Sequence, residues 1–274
     1  MTLEWNADFA QASPIFEPLR AASINLAGPK WPQREDLNRA LAQRVPPVTN
    51  VQGKPIALVA PATRAGFEAG YEQRIYLQAE VQVRAADWHD LLNVLVWLTF
   101  PQAKAALNAR HYRELAQRRE GGQLNRGRAQ DALTLFDEGG VAVVAGDPAL
   151  AALLVRGAWK ELFCERRAQV ERSLRFYVFG HALYEKALAP YVGMTGRCIV
   201  MEAAGGFLER PLAGQLPELD ARLAAHIADA RHLQAPVRLS PLPVLGVPGW
   251  SGDNHDPAYY DNTAYFRPQP IRRR

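Results

Sequence analysis

The segment Gly180-His181-Ala182-Leu183-Tyr184-Glu185 sets an imidazole after a glycine and a carboxylate four residues on. Leu174–Phe179 is rich in β-formers, and Pro190 ends the segment beyond Glu185. This predicts a strand ending at Phe179 and a helix from His181 to Leu188. His181 then occupies the first helical turn, where the helix dipole disfavours an imidazolium. A neutral ring can serve as a base or as a ligand. Gly180 permits a tight turn and close approach by a substrate. Glu185 shares a helix face with His181 and can orient it or share a metal with it. The same spacing also fits a half-buried histidine beside a surface glutamate.

Three further sets carry polar chemistry. Lys104, Asn108 and His111 are spaced as one stripe on a helix opened by Pro101, and His89 and Asn93, with Asp90 beside them, form a stripe on the preceding helix. Facing each other across a hairpin, an Asp and a His there suit general acid/base work, and Lys104, Asn93 and Asn108 suit substrate binding. As plain amphipathic helices they show the same stripes to water. Asp131 with Asp137-Glu138 offers carboxylates for a divalent metal or for proton transfer, or simply turn residues. Arg126 and Arg128, beside Gly121, Gly122 and Gly127, could clamp an anion through guanidinium and backbone N–H groups. The candidate catalytic residues are therefore His181, Glu185, Asp90, Asp137, Glu138 and His111, and the candidate binding residues are Lys104, Asn108, Arg126, Arg128 and Asn93. No metal or cofactor is specified.

The framework around these residues can be read in chain order. Pro32–Arg44 has amphipathic spacing, and residues 45–70 read as loop with one short strand at Ile56–Ala60. Asp87 caps a helix over Trp88–Phe100, succeeded by a helix over Gln102–Arg119. Ala132–Phe136 and Val141–Ala145 flank Asp137-Glu138-Gly139-Gly140, which predicts a hairpin. Asp147-Pro148 opens a helical stretch reaching about Arg172, Arg197–Glu202 reads as a strand, and Pro217–Leu233 as a helix. After Gln234 there is Pro, Gly and aromatic residues without periodicity. A tail of this kind is expected to wrap the body, docking Trp250, Tyr259, Tyr260, Tyr265 and Phe266. Its polar groups from Asn254 to Arg267 could close a site or act as caps.

Strands and helices do not alternate strictly, which favours α+β: a single, mainly helical domain with a small mixed or antiparallel sheet. It divides into an arm over 1–30, a body over 31–234 and the tail over 235–274. The 274 residues are 48% hydrophobic, too apolar for a disordered chain. No apolar run reaches the roughly 20 residues that cross a bilayer. The net charge is +4, and Arg267 to Arg274 hold four arginines and no acid, so the rest is neutral. Nucleic acid is therefore a possible but unfavoured partner. Two cysteines, Cys164 and Cys198, complete neither a four-ligand zinc site nor a disulfide framework. With an acidic N-terminus lacking an apolar stretch, they point to the cytoplasm. Dinucleotide, P-loop, zincin and serine-hydrolase motifs are absent.

Several stretches together carry a resemblance. They are Trp88-His89-Asp90-Leu91-Leu92-Asn93, Trp97-Leu98-Thr99-Phe100-Pro101-Gln102-Ala103-Lys104, Asp131 to Glu138, Phe179-Gly180-His181-Ala182-Leu183, and Tyr260-Asp261-Asn262 to Phe266-Arg267-Pro268. The set resembles a bacterial domain-of-unknown-function family, number three-zero-two-five, from about Trp31 to Pro268. That breadth implies one domain and no activity, since the family has none assigned. Two functions stay open. One is a cytoplasmic hydrolase or lyase acting on a small anionic substrate through a His/carboxylate site. The other is a non-enzymatic protein using its Arg-rich segments on nucleic acid or an acidic partner.

Overall fold

The computed structural model describes residues 3–24, 26, 28–62, 66–122, 125 and 127–268. Its elements run α1 (Arg20–Ile24), α2 (Arg34–Gln43), β1 (Ala57–Val59), α3 (Tyr71–Gln78), β2 (Glu80–Gln82), α4 (Trp88–Thr99), α5 (Pro101–Glu120), α6 (Arg128–Gly139) and β3 (Gly140–Ala145). Then come α7 (Pro148–Arg156), α8 (Arg167–Ser173), β4 (Leu174–Val178), α9 (His181–Ala187), β5 (Thr195–Glu202), α10 (Leu212–Ala228) and β6 (Ser240–Pro243). The architecture is α+β, as the lack of strict alternation predicts.

The sheet has the order β4-β3-β5-β6. β3 runs parallel to β5 and antiparallel to β4, and β6 is antiparallel to β5. All six residues of β3 are buried, which explains its continuous apolar run, Gly-Val-Ala-Val-Val-Ala. β1 and β2 form a separate parallel pair. α4 is buried almost all round, from Trp88 through Leu98, and forms the helical centre. Asp87 caps it, its carboxylate accepting from the Asp90 N–H at 3.0 Å. Pro101 opens α5 where no N–H is needed, and Asp220 of α10 accepts from the next two N–H groups, of Gln102 and Ala103, at 3.1 and 2.8 Å. The arm docks on the start of α4: Trp5 stacks on Trp88 at 5.3 Å, and the Trp88 indole N–H donates to Leu3 O at 3.1 Å.

Three sequence expectations need correction. Residues 132–145 are not a hairpin. Helix α6 continues to Gly139 and β3 starts at the next residue. Ala132, Leu133 and Phe136 are spaced for one helical face and all three are buried, so 3.6-residue periodicity outweighs the turn signal of Gly139-Gly140. Helix α10 begins at Leu212, with Pro217 inside it, because the Gln215 amide ties the first turn to Phe207 O and Arg210 O at 3.2 and 2.8 Å. The tail contains a strand, β6, whose Pro241 and Pro243 are tolerated because it is a sheet edge.

The aromatic residues of the tail dock on the core. Tyr260, Tyr265 and Phe266 are buried, while Trp250 and Tyr259 are half-buried against the core. The Tyr265 hydroxyl donates to Met194 O at 2.8 Å and the Trp159 indole to Arg267 O at 2.8 Å. No helix among the described residues is long and apolar enough to cross a membrane.

Candidate functional site

The register of β3 against β4 builds the site. Val141 pairs with Val178, and the N–H groups of Phe179 and Gly180 both donate to Gly140 O at 2.9 Å. The start of α9 therefore lies over the end of α6, and His181 meets Asp137 and Glu138. Gly180 is required for this approach. A Cβ there would stand 2.5 Å from Glu138 O and from the N atoms of Gly139 and Gly140. The close approach expected for a substrate is made by the chain's own backbone. Packing of α4 on α9 then brings His89 against His181.

The result is an imidazole pair with its rings edge to face, centroids 4.5 Å apart and Nε2 to Nε2 at 3.0 Å. His89 Nδ1 lies 2.8 Å from Glu185 Oε2, so it carries the proton and donates. His181 Nδ1 is buried without a hydrogen bond of good geometry. Asp137 flanks it through its backbone carbonyl and through Oδ2 at 3.8 Å. Glu138 completes the group: one carboxylate oxygen and one ring nitrogen from each histidine lie within 4.8 Å of one another. His181 is 4% exposed, whereas the side chains of His89 and Glu185 are 31% and 43% exposed, so the group opens to solvent on one side.

Behind the rings lies a buried ion pair, Lys104 Nζ to Asp137 Oδ1 at 2.5 Å. Burial acts to raise the Asp137 carboxyl, but the Lys104 ammonium, the strongest of its charged neighbours, holds it below the usual range. Burial pushes His181 down to about 4, so the ring is neutral at pH 7. Glu138 is raised, by burial first and by Asp137. These shifts divide the roles: Asp137 stays ionised, His181 is available as base or ligand, and Glu138 is the carboxyl most ready to hold a proton.

The remaining candidates have other partners. Glu185 orients His89, not His181. Asp90 is taken up by Arg84, whose Nε and a terminal NH group each donate at 2.8 Å, so it is a structural carboxylate beside the cluster. Asn93 donates to the Tyr71 hydroxyl at 2.9 Å, and Asn108 to Glu72 Oε2 at 2.7 Å. The stripes of α4 and α5 thus meet helix α3 in a buried polar seam. The Lys104 ammonium and the amide nitrogens of Asn93 and Asn108 are held by internal partners, while the buried Oδ1 atoms of both asparagines have none among the described residues. His111 is buried on α5, near enough for its charge to act on Asp137. Asp131 and exposed Arg128 sit in the first turn of α6, at the opposite end from Glu138, about 15 Å along the axis for Arg128. The structure therefore does not bring Arg128 to the cluster as an anion clamp. Arg126 lies outside the described residues. Asn254 accepts no role near the rings either: its amide donates to Leu245 O and Val247 O.

Sequence reasoning set His89 on a polar stripe but did not place it in the site. The available signal was its position, one residue after Trp88 in a helix capped by Asp87. It also missed Tyr71 and Glu72, which stand in a segment of weak periodicity.

Two hollows lie apart from the cluster. One, of about 800 Å³, includes Arg44, Pro101 and Asp220 in its walls and none of the cluster. The other, of about 380 Å³, is bordered by Cys198, His226, Arg231, His232 and Arg238. There His226 stacks on His232 at 3.9 Å. Burial, with His232 and Arg110 and against Asp229, pushes His226 from 6.5 down to about 4. The unfolded chain therefore binds a proton in this window that the folded chain refuses. Stability rises with pH between about 4 and 6.5 and is lost as pH falls through that window. Replacing His226→Gln is expected to remove roughly 2 kcal/mol of that acid sensitivity, allowing for the partly exposed ring. Urea melts at pH 7 and pH 4 check this; an equal loss of unfolding free energy between the two pH values in both proteins would refute it.

The fold and site define an α+β protein whose two imidazoles and one carboxylate converge where a strand-to-helix corner crosses a helix-to-strand corner. The model of the family described as Protein of unknown function (DUF3025) matches residues 57–270, and the chain belongs to that family. No curated protein and no solved structure matches it.

Proposed function

We propose that this protein is an enzyme of hydrolase or lyase type, acting on a small anionic substrate at the His89–His181–Glu138 cluster. The observation that carries the reading is the Nε2–Nε2 approach of 3.0 Å between two histidines from different helices, with Glu185 and Asp137 behind their Nδ1 atoms. Buried polar groups are costly to assemble, and ones whose hydrogen bonding is incomplete mark sites of function. His181 takes or transmits a proton, Glu185 positions His89, Glu138 supplies the second carboxylate function, and Lys104 keeps Asp137 ionised. A small substrate suits a group whose exposure lies at His89 and Glu185 while His181 is nearly covered. Its negative charge needs a cation at the cluster, since the carboxylates outnumber the basic groups there. A cytoplasmic setting accords with two free thiols, Cys164 and Cys198.

The polyanion-binding alternative finds less support. Arg110 is buried and donates to the carbonyls of Ile227, Asp229, Ala230 and His232 at the end of α10. Arg118 donates to Asn125 O, and Arg119 lies over the Phe67 ring.

A panel of small anionic carboxylic esters, phosphate esters, amides and β-elimination substrates tests the enzyme reading. Turnover is expected, with kcat/KM at least 100-fold lower in His181→Ala and unchanged in His255→Ala, in keeping with the loss of a general base. No turnover across the panel, or equal turnover in wild type and H181A, overturns it.

A further inference from the structure

We propose that His89 Nε2, His181 Nε2 and the Glu138 carboxylate together bind one divalent first-row transition-metal ion. The inference deepens the reading above and rests on it for the place of the site.

The first argument is proton accounting. His89 Nδ1 donates to Glu185, so the His89 Nε2 of a neutral ring presents a lone pair to His181. His181 Nδ1 faces Asp137, whose Oδ2 lies 3.8 Å away and whose Oδ1 is paired with Lys104 Nζ. If His181 carries its proton on Nδ1, facing that anion, two lone pairs meet at 3.0 Å. If it carries the proton on Nε2, a bare, buried nitrogen confronts a carboxylate, with no donor beside it. With both rings neutral, neither tautomer of His181 satisfies both; only a positive charge at the Nε2 pair, a proton on His89 or a metal ion, does so with the groups present. A cation between the two Nε2 atoms satisfies both, with each Nδ1–H turned to a carboxylate, the usual arrangement behind a metal-bound histidine.

The second argument is distance. With metal–nitrogen bonds of about 2.1 Å, two ligands at a right angle stand about 3.0 Å apart, and two at a tetrahedral angle about 3.4 Å. The observed 3.0 Å is the right-angled case. Glu138 supplies the third ligand, with a carboxylate oxygen within 4.8 Å of a ring nitrogen of each histidine. Two imidazoles and one carboxylate with the opposite positions open form a set that selects borderline first-row ions over calcium or magnesium. Among the described residues no other group of three such side chains converges in this way.

The third argument is charge. Asp87, Asp90, Asp137, Glu138 and Glu185 stand around the rings and their partners against Lys104, Arg84 and Lys186, so with every carboxyl ionised the neighbourhood is two charges negative. A dication balances it and turns the open side toward anions.

The test uses the full chain, stripped with chelator and free of any affinity metal. It is titrated with Co(II), whose absorption reports its coordination, and by calorimetry with Zn(II), Mn(II) and, without oxygen, Fe(II). Expected is one ion per chain for at least one metal, with affinity at least 100-fold weaker in Glu138→Gln and His89→Gln. Glu185→Gln, which keeps the ligands but loses the positioning carboxylate, is expected to cost 10- to 100-fold. His232→Ala, in the other imidazole pair, is expected to change nothing. The Gln variants are near in size and lie at partly exposed positions, and melting curves confirm that they fold. No stoichiometric binding, or binding indifferent to E138Q and H89Q, overturns the proposal. Turnover lost in H181A without any metal binding removes the ion and keeps the reaction centre. A stoichiometric ion without turnover keeps the ion and removes the enzyme.

Discussion

Replacing Lys104→Met is expected to lower unfolding free energy by about 3–5 kcal/mol, because it strands a charge that water cannot reach. Lys104 is 4% exposed and Asp137 15%, and their contact is 2.5 Å. Methionine keeps the length of the stem and its packing near Trp97, over which the ammonium lies at 5.6 Å. What it removes is the compensation for the Asp137 carboxylate. Asp137→Asn, which strands the ammonium instead, is expected to cost a similar amount. The two losses do not add. With both partners apolar, as in Lys104→Met with Asp137→Leu, no charge remains to be solvated, and most of the loss is expected to return. A double-mutant cycle from urea unfolding therefore gives a coupling of about 2 kcal/mol or more. Raising salt leaves it nearly unchanged, since a buried pair is little screened. Additive losses, or single losses under 1 kcal/mol, would show that water reaches the pair and that it does not hold Asp137 ionised behind His181.

The second large effect is expected at Gly180. Its φ of −66° suits any residue, so nothing about backbone freedom demands glycine. The demand comes from space: an added Cβ meets three backbone atoms at 2.5 Å, and backbone cannot rotate aside as a side chain does. Gly180→Ala must push α9 away from the α6–β3 junction. The expected loss is about 3 kcal/mol, at the upper end of overpacking costs. The same displacement carries His181 away from Glu138, so Co(II) binding is expected to fall together with stability. Gly139→Ala is the matched control. It is the neighbouring glycine of the same junction, and a Cβ there meets nothing within 4 Å. G139A is expected to bind Co(II) as the wild type does. If G180A also binds as the wild type does, the crossing of the two corners does not set the site.

Much of the local structure was legible. Asp87 before Trp88 and the proline at 101 mark helix ends by the hydrogen bonds each can or cannot make, and both hold. The strand over 174–178, the helix from His181 and the docking of the tail's aromatics were legible from β-forming residues, from the glycine and proline that bound the helix, and from large apolar rings that need burial. The junction over 137–140 was not. Asp-Glu-Gly-Gly is equally good turn chemistry in a hairpin and at a helix-to-strand corner, and only the buried face of Ala132, Leu133 and Phe136 decides between them. Pro217 misled in a similar way, since a proline that commonly opens helices lies inside α10.

The chain alone determined which side chains are equipped for chemistry and on which elements they ride, because capping and periodicity act over a few residues. It could not assign partners. Glu185 lies on the same helix face as His181 yet grips His89, and Arg128 shares α6 with Glu138 yet stands a helix length away. Those choices come from the pairing of Val141 with Val178 and from the packing of α4 on α9. Contacts between residues some 90 positions apart are set by burial of whole faces, which no short stretch of sequence encodes.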